Sequence, residues 1–367
     1  MSCPPAAVAL SLALAACGSS TAVPPDAPAP AWTLGPTLPG RRLEPGVTAL
    51  GDQLVVLGGF DTGLTEGLHI TTEVDVLDTA LAAADQKWMQ LPESPRAWTH
   101  IQLAASGSIL YLLGGLSGAD YVAAGDAFTL NAADAAPAWT PLAPIPTGLE
   151  RGSAAVVVAA PRIYLLGGAG TNAALATNLY YDIAMDAWCP GPACTADQQL
   201  PDLPAARSHP AGTRLADGTL VLVGGLATLD STQPEADVWW LPVDQQNAAG
   251  HWVTKTPMPH ARGGCAAGRL GGRLVCAGGE AGAAALHVVE AYEPALDATP
   301  PDPALGSPWT ELPDMPSARA GAQGTAIGQR LFVPGGAQEL QYIPLDTLLV
   351  FDLLDADTGS AANLGSP

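Results

Sequence analysis

A segment ending in paired glycines recurs six times, and no other feature of the 367-residue chain limits its possible folds as strongly. The pairs begin at Gly58, Gly114, Gly167, Gly224, Gly278 and Gly335, spaced by 56, 53, 57, 54 and 57 residues. An arginine stands 16 to 18 residues before each pair, at Arg42, Arg96, Arg151, Arg207, Arg262 and Arg319. Self-similarity at a fixed period of this size marks a repeated supersecondary unit, and the length between arginine and glycines fits two strands joined by a tight hairpin. The clearest unit covers residues 309–336. It reads as an outer strand (309–312), a proline corner (Pro313, Pro316), Arg319, a strand of small residues, a turn at Gly328 and Gln329, and an apolar strand (331–333) before Gly335.

A β-branched or aromatic strand follows each glycine pair, at 74–77, 128–130, 179–182, 238–241, 288–293 and 348–352, and a tryptophan follows five of them, at Trp88, Trp139, Trp188, Trp252 and Trp309. Five units therefore carry four strands and the sixth stops after three. The missing strand lies at the other end of the chain, where Trp32, Leu34, Leu38 and Pro39 precede Arg42 as Trp309, Leu312 and Pro316 precede Arg319. The strands after each arginine are rich in small residues, as in 263–268 and 320–326, which suits strands converging on an axis. Paired glycines suit a backbone that needs φ > 0 or a close approach to a neighbour, and radial repetition leaves only short, protected sheet edges. The expected fold is all-β, a six-bladed β-propeller over residues 32–355, four antiparallel strands per blade, with the N-terminal strand closing the last blade.

The order Arg, apolar strand, Gly-Gly, Tyr-Asp-like strand, Trp, Leu-Pro and the next Arg resembles the kelch-repeat family of propellers over residues 32–352. Unit two lacks the Tyr-Asp pair, and unit three carries an insertion between Trp188 and Pro204. The resemblance implies a binding module that presents loops from one face to a protein or glycan; the longest loops here follow Gly59, Trp188 and Tyr292. Galactose oxidase resembles this architecture with seven blades and a tyrosine, histidine and Tyr-Cys copper site, but no comparable cluster stands out here. The sialic-acid mutarotase family is similar in having six kelch blades and an exported location. That likeness implies the alternative of a sugar-acid mutarotase or isomerase, with acid/base groups beside a carboxylate-binding arginine; only Glu150-Arg151 sets an acid directly before a repeat arginine.

The first residues read as an address. The 11-residue apolar run 6–16 is too short to span a bilayer and has the length of a secretory core. Leu14-Ala15-Ala16-Cys17-Gly18 resembles a bacterial lipobox, although no Lys or Arg precedes the run. The expectation is a signal peptide (1–16), lipidation at Cys17, a Pro/Ala-rich tether (17–31), a disordered tail (356–367) and placement at the outer membrane, with membrane contact only through the anchor. Of the six cysteines, Cys3 leaves with the signal and Cys17 takes lipid. The remaining four are expected to pair as Cys189 with Cys194 and Cys265 with Cys276, in an oxidising compartment. Cys265 and Cys276 are expected opposite each other on adjacent strands, about a turn centred on Leu270 and Gly271. A net charge of −21 with pI about 4.3 excludes nucleic acid and anionic surfaces as partners, and the chain is expected to be a monomer without cofactor or metal.

Six of only 14 basic residues occupy the repeat arginine position. Six-fold symmetry would gather them near the channel mouth, where two such charges about 10 Å apart repel by about 1.7 kcal/mol at an effective dielectric of 20. Two readings follow. Each arginine is bonded to backbone carbonyls or to one of the 35 acidic residues; or the arginines form an anion-receiving funnel. In the second reading Arg96, Arg207 and Arg262, with Trp98, His100, His209 and His260, line a ligand pocket, and Arg42, Arg151 and Arg319 complete the ring. No G-x-S-x-G, H-E-x-x-H, P-loop or dinucleotide fingerprint occurs. Trp239 and Trp240, adjacent on a strand, are expected to face opposite sides of the sheet.

Overall fold

A computed structural model describes residues 31–243, 250–298, 300, 302–339 and 342–353 of the chain. The expected signal peptide, Cys17, nearly all of the tether and the tail lie outside these residues. Pro30–Leu353 forms one compact unit. It contains six four-stranded antiparallel sheets, one per repeat. Blade 1, for example, runs outward through Gly46–Leu50, Gln53–Leu57, Val74–Asp78 and Trp88–Leu91. In blade 6 the inner three strands are Thr325–Ile327, Arg330–Pro334 and Leu348–Asp352, and the fourth is Ala31–Leu34 from the other end of the chain. Trp32 pairs with Phe351 in that strand ladder, so the ring closes as the sequence pattern requires.

Consecutive apolar residues, as in Gln53–Leu57 and Leu220–Val223, point to opposite faces in turn and leave both faces of each sheet to be covered by neighbours. Each face meets the next blade in its own buried cluster, and the six clusters correspond to six blade junctions, including the closing one where Val47, Val56 and Leu77 meet Phe332, Leu348 and Val350. The repeated tryptophans fasten the outer rim. The indole N–H of Trp32, Trp88, Trp139, Trp188, Trp252 and Trp309 donates to a carbonyl of the preceding blade, respectively of Pro313, Pro36, Pro92, Ala143, Pro201 and Thr256, at 2.7 to 3.2 Å. This explains the Trp and the Leu-Pro spacing together, because the acceptor lies just beyond the outer strand of the neighbour, save in the third blade, where the insertion separates Ala187–Cys189 from Pro201.

The glycine pairs are the inner counterpart. Gly167 (φ +61°) would place a Cβ 2.7 Å from the Arg207 carbonyl, and Gly168 (φ +113°) 2.7 Å from that of Gly152. Backbone contact, with the next blade at Gly167 and within the blade at Gly168, therefore excludes a side chain there.

Both expected disulfides form, with Cα separations of 5.2 Å for Cys189–Cys194 and 5.5 Å for Cys265–Cys276. One register expectation is corrected. Ala267, not Cys265, stands opposite Cys276, because the hairpin turns on Gly271 and Gly272, both at positive φ, and the bridge therefore runs diagonally across two strands. Trp239 is buried against the Arg207 guanidinium and Trp240 is half-buried beneath Lys255, so neither stands open to solvent. No helix among the described residues is long and apolar enough to cross a membrane.

Candidate functional site

Five repeat arginines are buried and engaged. Arg42 bonds Glu73 and Asp75, Arg207 bonds Asp237, and Arg262 bonds Glu290. Arg151 donates to the carbonyls of Leu149, Gly167 and Thr177, and Arg319 to Ser317, Thr347 and the Ala318 carbonyl. Burial presses the Arg151 and Arg319 guanidinium groups down to about 10, opposed at Arg151 by the charges of Asp202 and Glu150. Glu150 accepts from the Gly148 N–H beside this site. None of these arginines lines the pocket described below.

Arg96 is not the sixth member. It stands 18 residues before its glycines rather than 16 or 17, and the extra length places Trp98 where the other units have arginine. The Trp98 carbonyl accepts from Gly59 N as those of Arg207 and Arg262 accept from Gly168 and Gly225. Trp98 is fully buried, and Arg96 lies outside it, stacked 4.9 Å from its ring and paired with exposed Asp126. His260 also sits apart from the axis, its Nδ1 2.8 Å from Glu290.

The axis is lined instead by the residue that ends the bend before each inner strand: Glu44, His100, Ser153, His209, Gly264 and Gly321. All six have left-handed backbone, with φ between 47° and 62°. Five backbone hydrogen bonds of 2.7 to 3.0 Å join them in order, Glu44 N to Gly321 O, His100 N to Glu44 O, Ser153 N to His100 O, His209 N to Ser153 O and Gly264 N to His209 O. Glycine takes this conformation at no steric cost, whereas the four other residues hold it at about 1 to 3 kcal/mol each. Their side chains converge as a result. The His100 and His209 rings lie 5.3 Å apart, Ser153 Oγ is 2.9 Å from His209 Nε2, and Glu44 Oε1 is 4.0 Å from that nitrogen.

Neighbouring hydroxyls fix the tautomers. Ser208 donates to the Thr228 carbonyl at 2.6 Å, so its oxygen is left to accept from His209 Nδ1–H at 3.2 Å. Thr99 donates to the Glu44 carbonyl and lies 3.1 Å from His100 Nδ1 in the same way. Both imidazoles thus turn a bare Nε2 away from the backbone. That of His209 accepts from Ser153, and that of His100 has no hydrogen-bond partner among the described residues.

Glu44 and His209 form the boundary between two cavities. On one side an axial channel of about 410 Å³ is lined by inner-strand residues such as Thr48, Ala104, Gly212 and Ala267. On the other a rim pocket of about 230 Å³ is enclosed by His100, Phe60, Glu280 and Tyr342 as well. Phe60 and Glu280 each directly follow a glycine pair and bridge back to Leu43 and Gly263, which aims them at the axis. Tyr342 donates to Glu280 Oε2 at 3.2 Å. Burial holds both imidazoles down to about 4 and raises the Glu44 carboxyl. Burial, then the charge of Glu44, lifts Glu280 to about 7. Near neutral pH the pocket therefore presents uncharged imidazoles and a carboxyl close to its midpoint.

The raised Glu280 carboxyl has a consequence for stability. The folded state holds this proton more tightly than the unfolded chain, so its contribution is full below the ordinary value of 4.5 and is lost as pH rises toward 7. Over that interval roughly 3 kcal/mol should disappear. Glu280→Gln should match wild type near pH 4.5 in chelator and exceed it progressively up to pH 8; a difference independent of pH in urea denaturation would contradict this.

Glu44, Ser153, Glu280, Phe60 and Tyr342 were not among the residues singled out from sequence. A signal exists for the first two, which stand two residues after a repeat arginine, and for Glu280 and Phe60, which follow Gly-Gly. Tyr342 lies in a loop with no pattern to mark it.

No protein-family model matches the chain. It is 28% identical over 310 residues to the Kelch-like protein terF of Aspergillus terreus (strain NIH 2624 / FGSC A1156), a match covering 80% of this chain and 61% of that protein. The chain thus spans about three fifths of that relative's length. Its fold is similar to the solved structure titled "Structure of YjhT", with a TM-score of 0.65 and 15% identity, covering 86% of this chain and 96% of the other. The six-fold repeat, the closed ring and this likeness of fold make the chain a six-bladed β-propeller with four antiparallel strands per blade, similar in sequence to a Kelch-like protein.

Proposed function

We propose that this six-bladed propeller is a non-enzymatic kelch-repeat binding module, exported and lipid-anchored through Cys17 at the bacterial cell envelope, that takes a glycan in the rim pocket over its axis. One observation carries the reading: the arginines are spent on structure, while the polar side chains of the axis converge in a pocket of about 230 Å³ walled by Phe60 and Tyr342. An aromatic wall facing carboxyl and imidazole groups suits a saccharide, whose apolar ring face and hydroxyls need both. Two disulfides agree with an oxidising compartment, and a closed ring with every blade junction filled supports a monomer.

Saturation-transfer NMR with chitobiose and N-acetylneuraminic acid as neutral and acidic probes tests the pocket. Transfer to either sugar in wild type and its loss in Tyr342→Ala supports the reading; no transfer to both, or transfer unchanged in Tyr342→Ala, overturns it. For the anchor, Cys17→Ala should move the protein from the membrane to the soluble fraction.

A further inference from the structure

We propose that Glu44, His100 and His209 form a site for a first-row divalent cation of the zinc class, held by one carboxylate oxygen and two imidazole Nε2 atoms, with an open position toward the rim pocket. The three residues offer ligand atoms that all lie within 4.8 Å of one another. Three protein ligands of N and O type with a vacant fourth position are the arrangement zinc takes at reactive or ligand-binding sites, and imidazole selects against magnesium and calcium. Bonds of about 2.0 to 2.2 Å would set the donors about 3.4 Å apart. Side-chain rotations of about 1 Å close the site from its present geometry.

The surroundings are built for such a role. A metal-binding imidazole needs its other nitrogen held by a hydrogen-bond acceptor, and Thr99 and Ser208, each directly preceding its histidine, supply one at 3.1 and 3.2 Å. Both hydroxyls spend their own protons on backbone carbonyls, of Glu44 and Thr228. The ligands sit on left-handed backbone locked into the hydrogen-bonded belt, so the backbone does not have to reorganise. Ser153, which donates to His209 Nε2 at 2.9 Å, would swing that hydroxyl toward the open position when the ion enters. Because the ligands come from three different blade junctions, the site exists only in the closed ring. It shares the pocket of the binding reading and does not depend on which ligand fills it.

The test uses the untagged folded chain, stripped with EDTA, exchanged into chelator-free buffer at neutral pH, and titrated with Zn²⁺ by calorimetry and with Co²⁺ by visible absorption, no sugar present. One equivalent of Zn²⁺ should bind, Co²⁺ should give the absorption of a four- or five-coordinate ion, and Mg²⁺ should not compete. Glu44→Gln, His100→Ala and His209→Ala should each weaken Zn²⁺ binding by about 100-fold or more, while His260→Ala leaves it unchanged. Thr99→Val and Ser208→Ala should cost about 10-fold to 100-fold. They keep the ligands and so report even if a ligand variant fails to fold. Absence of saturable one-equivalent binding, or equal affinity in wild type, His209→Ala and Ser208→Ala, overturns the proposal. Zinc binding without sugar transfer, or the reverse, separates this site from the glycan reading.

Discussion

Deleting residues 1–35 is expected to abolish the cooperative thermal transition of the propeller, whereas deleting residues 1–30 should leave it unchanged. The difference is five residues, Gly35 and the strand Ala31–Leu34, whose ladder with Leu348–Asp352 closes the ring. Trp32 packs 5.1 Å from Phe351 and its indole N–H donates to the Pro313 carbonyl, so the same residue ties blade 6 to itself and to the preceding blade. Losing a Trp of this kind costs about 3 to 5 kcal/mol when it is well buried, and Trp32 is only half-buried. The lost ladder adds about 1 kcal/mol per hydrogen bond. The sum is comparable with the whole stability of an ordinary domain, about 5 to 15 kcal/mol. The strand left behind would present Leu349 and Phe351 at an open edge, which invites association between molecules. Scanning calorimetry and light scattering on the two truncations measure this directly, and equal midpoints would show that the closing strand contributes little.

Glu290→Ala should destabilise the fold by about 3 to 5 kcal/mol, since it strands a buried guanidinium without its countercharge. Arg262 and Glu290 are both fully buried and 2.6 Å apart, and the other Glu290 oxygen accepts from His260. Burial is the larger influence on Arg262, pressing its guanidinium below the ordinary range, with Glu290 pushing the other way. Replacing both partners by methionine should recover most of the loss, because two apolar groups of similar volume need no solvation. Arg96→Ala is the contrast: its pair with Asp126 has side chains 42% and 49% exposed, and such pairs contribute about 0 to 1 kcal/mol. Urea denaturation of the three variants separates the cases. A loss below about 1 kcal/mol for Glu290→Ala would mean that the repeat arginine is not a structural anchor.

The parts legible in the sequence are those set by local spacing. Paired glycines, tryptophans and Leu-Pro corners recur because each unit must touch its neighbours in the same way, so their period reports the blade number and even the strand exchange at Trp32. Register errors arose where one or two residues shift the pattern. Arg96 looked like a member of the arginine set, yet the two added residues give its position to Trp98. Cys265 looked like the cross-strand partner of Cys276 until the turn proved to lie on Gly271 and Gly272. The axial cluster was harder to see for a different reason. Glu44, His100, Ser153 and His209 are about fifty residues apart, and only the closed ring brings them together. What unites them is a left-handed backbone two residues after the arginine position, which two glycines take at no steric cost and which residue type alone does not mark at a Glu, a Ser or a His.

The central claim is that the belt turns two desolvated imidazoles toward the rim pocket with Nε2 bare. Long-range ¹H–¹⁵N correlation spectra of histidine-labelled protein in chelator measure it most directly. Burial that holds both groups down to about 4 predicts that His100 and His209 remain neutral Nδ1–H tautomers from pH 7.5 to about pH 5. Nε2–H tautomers, or imidazolium signals for these two residues at pH 6 to 7, would contradict the account.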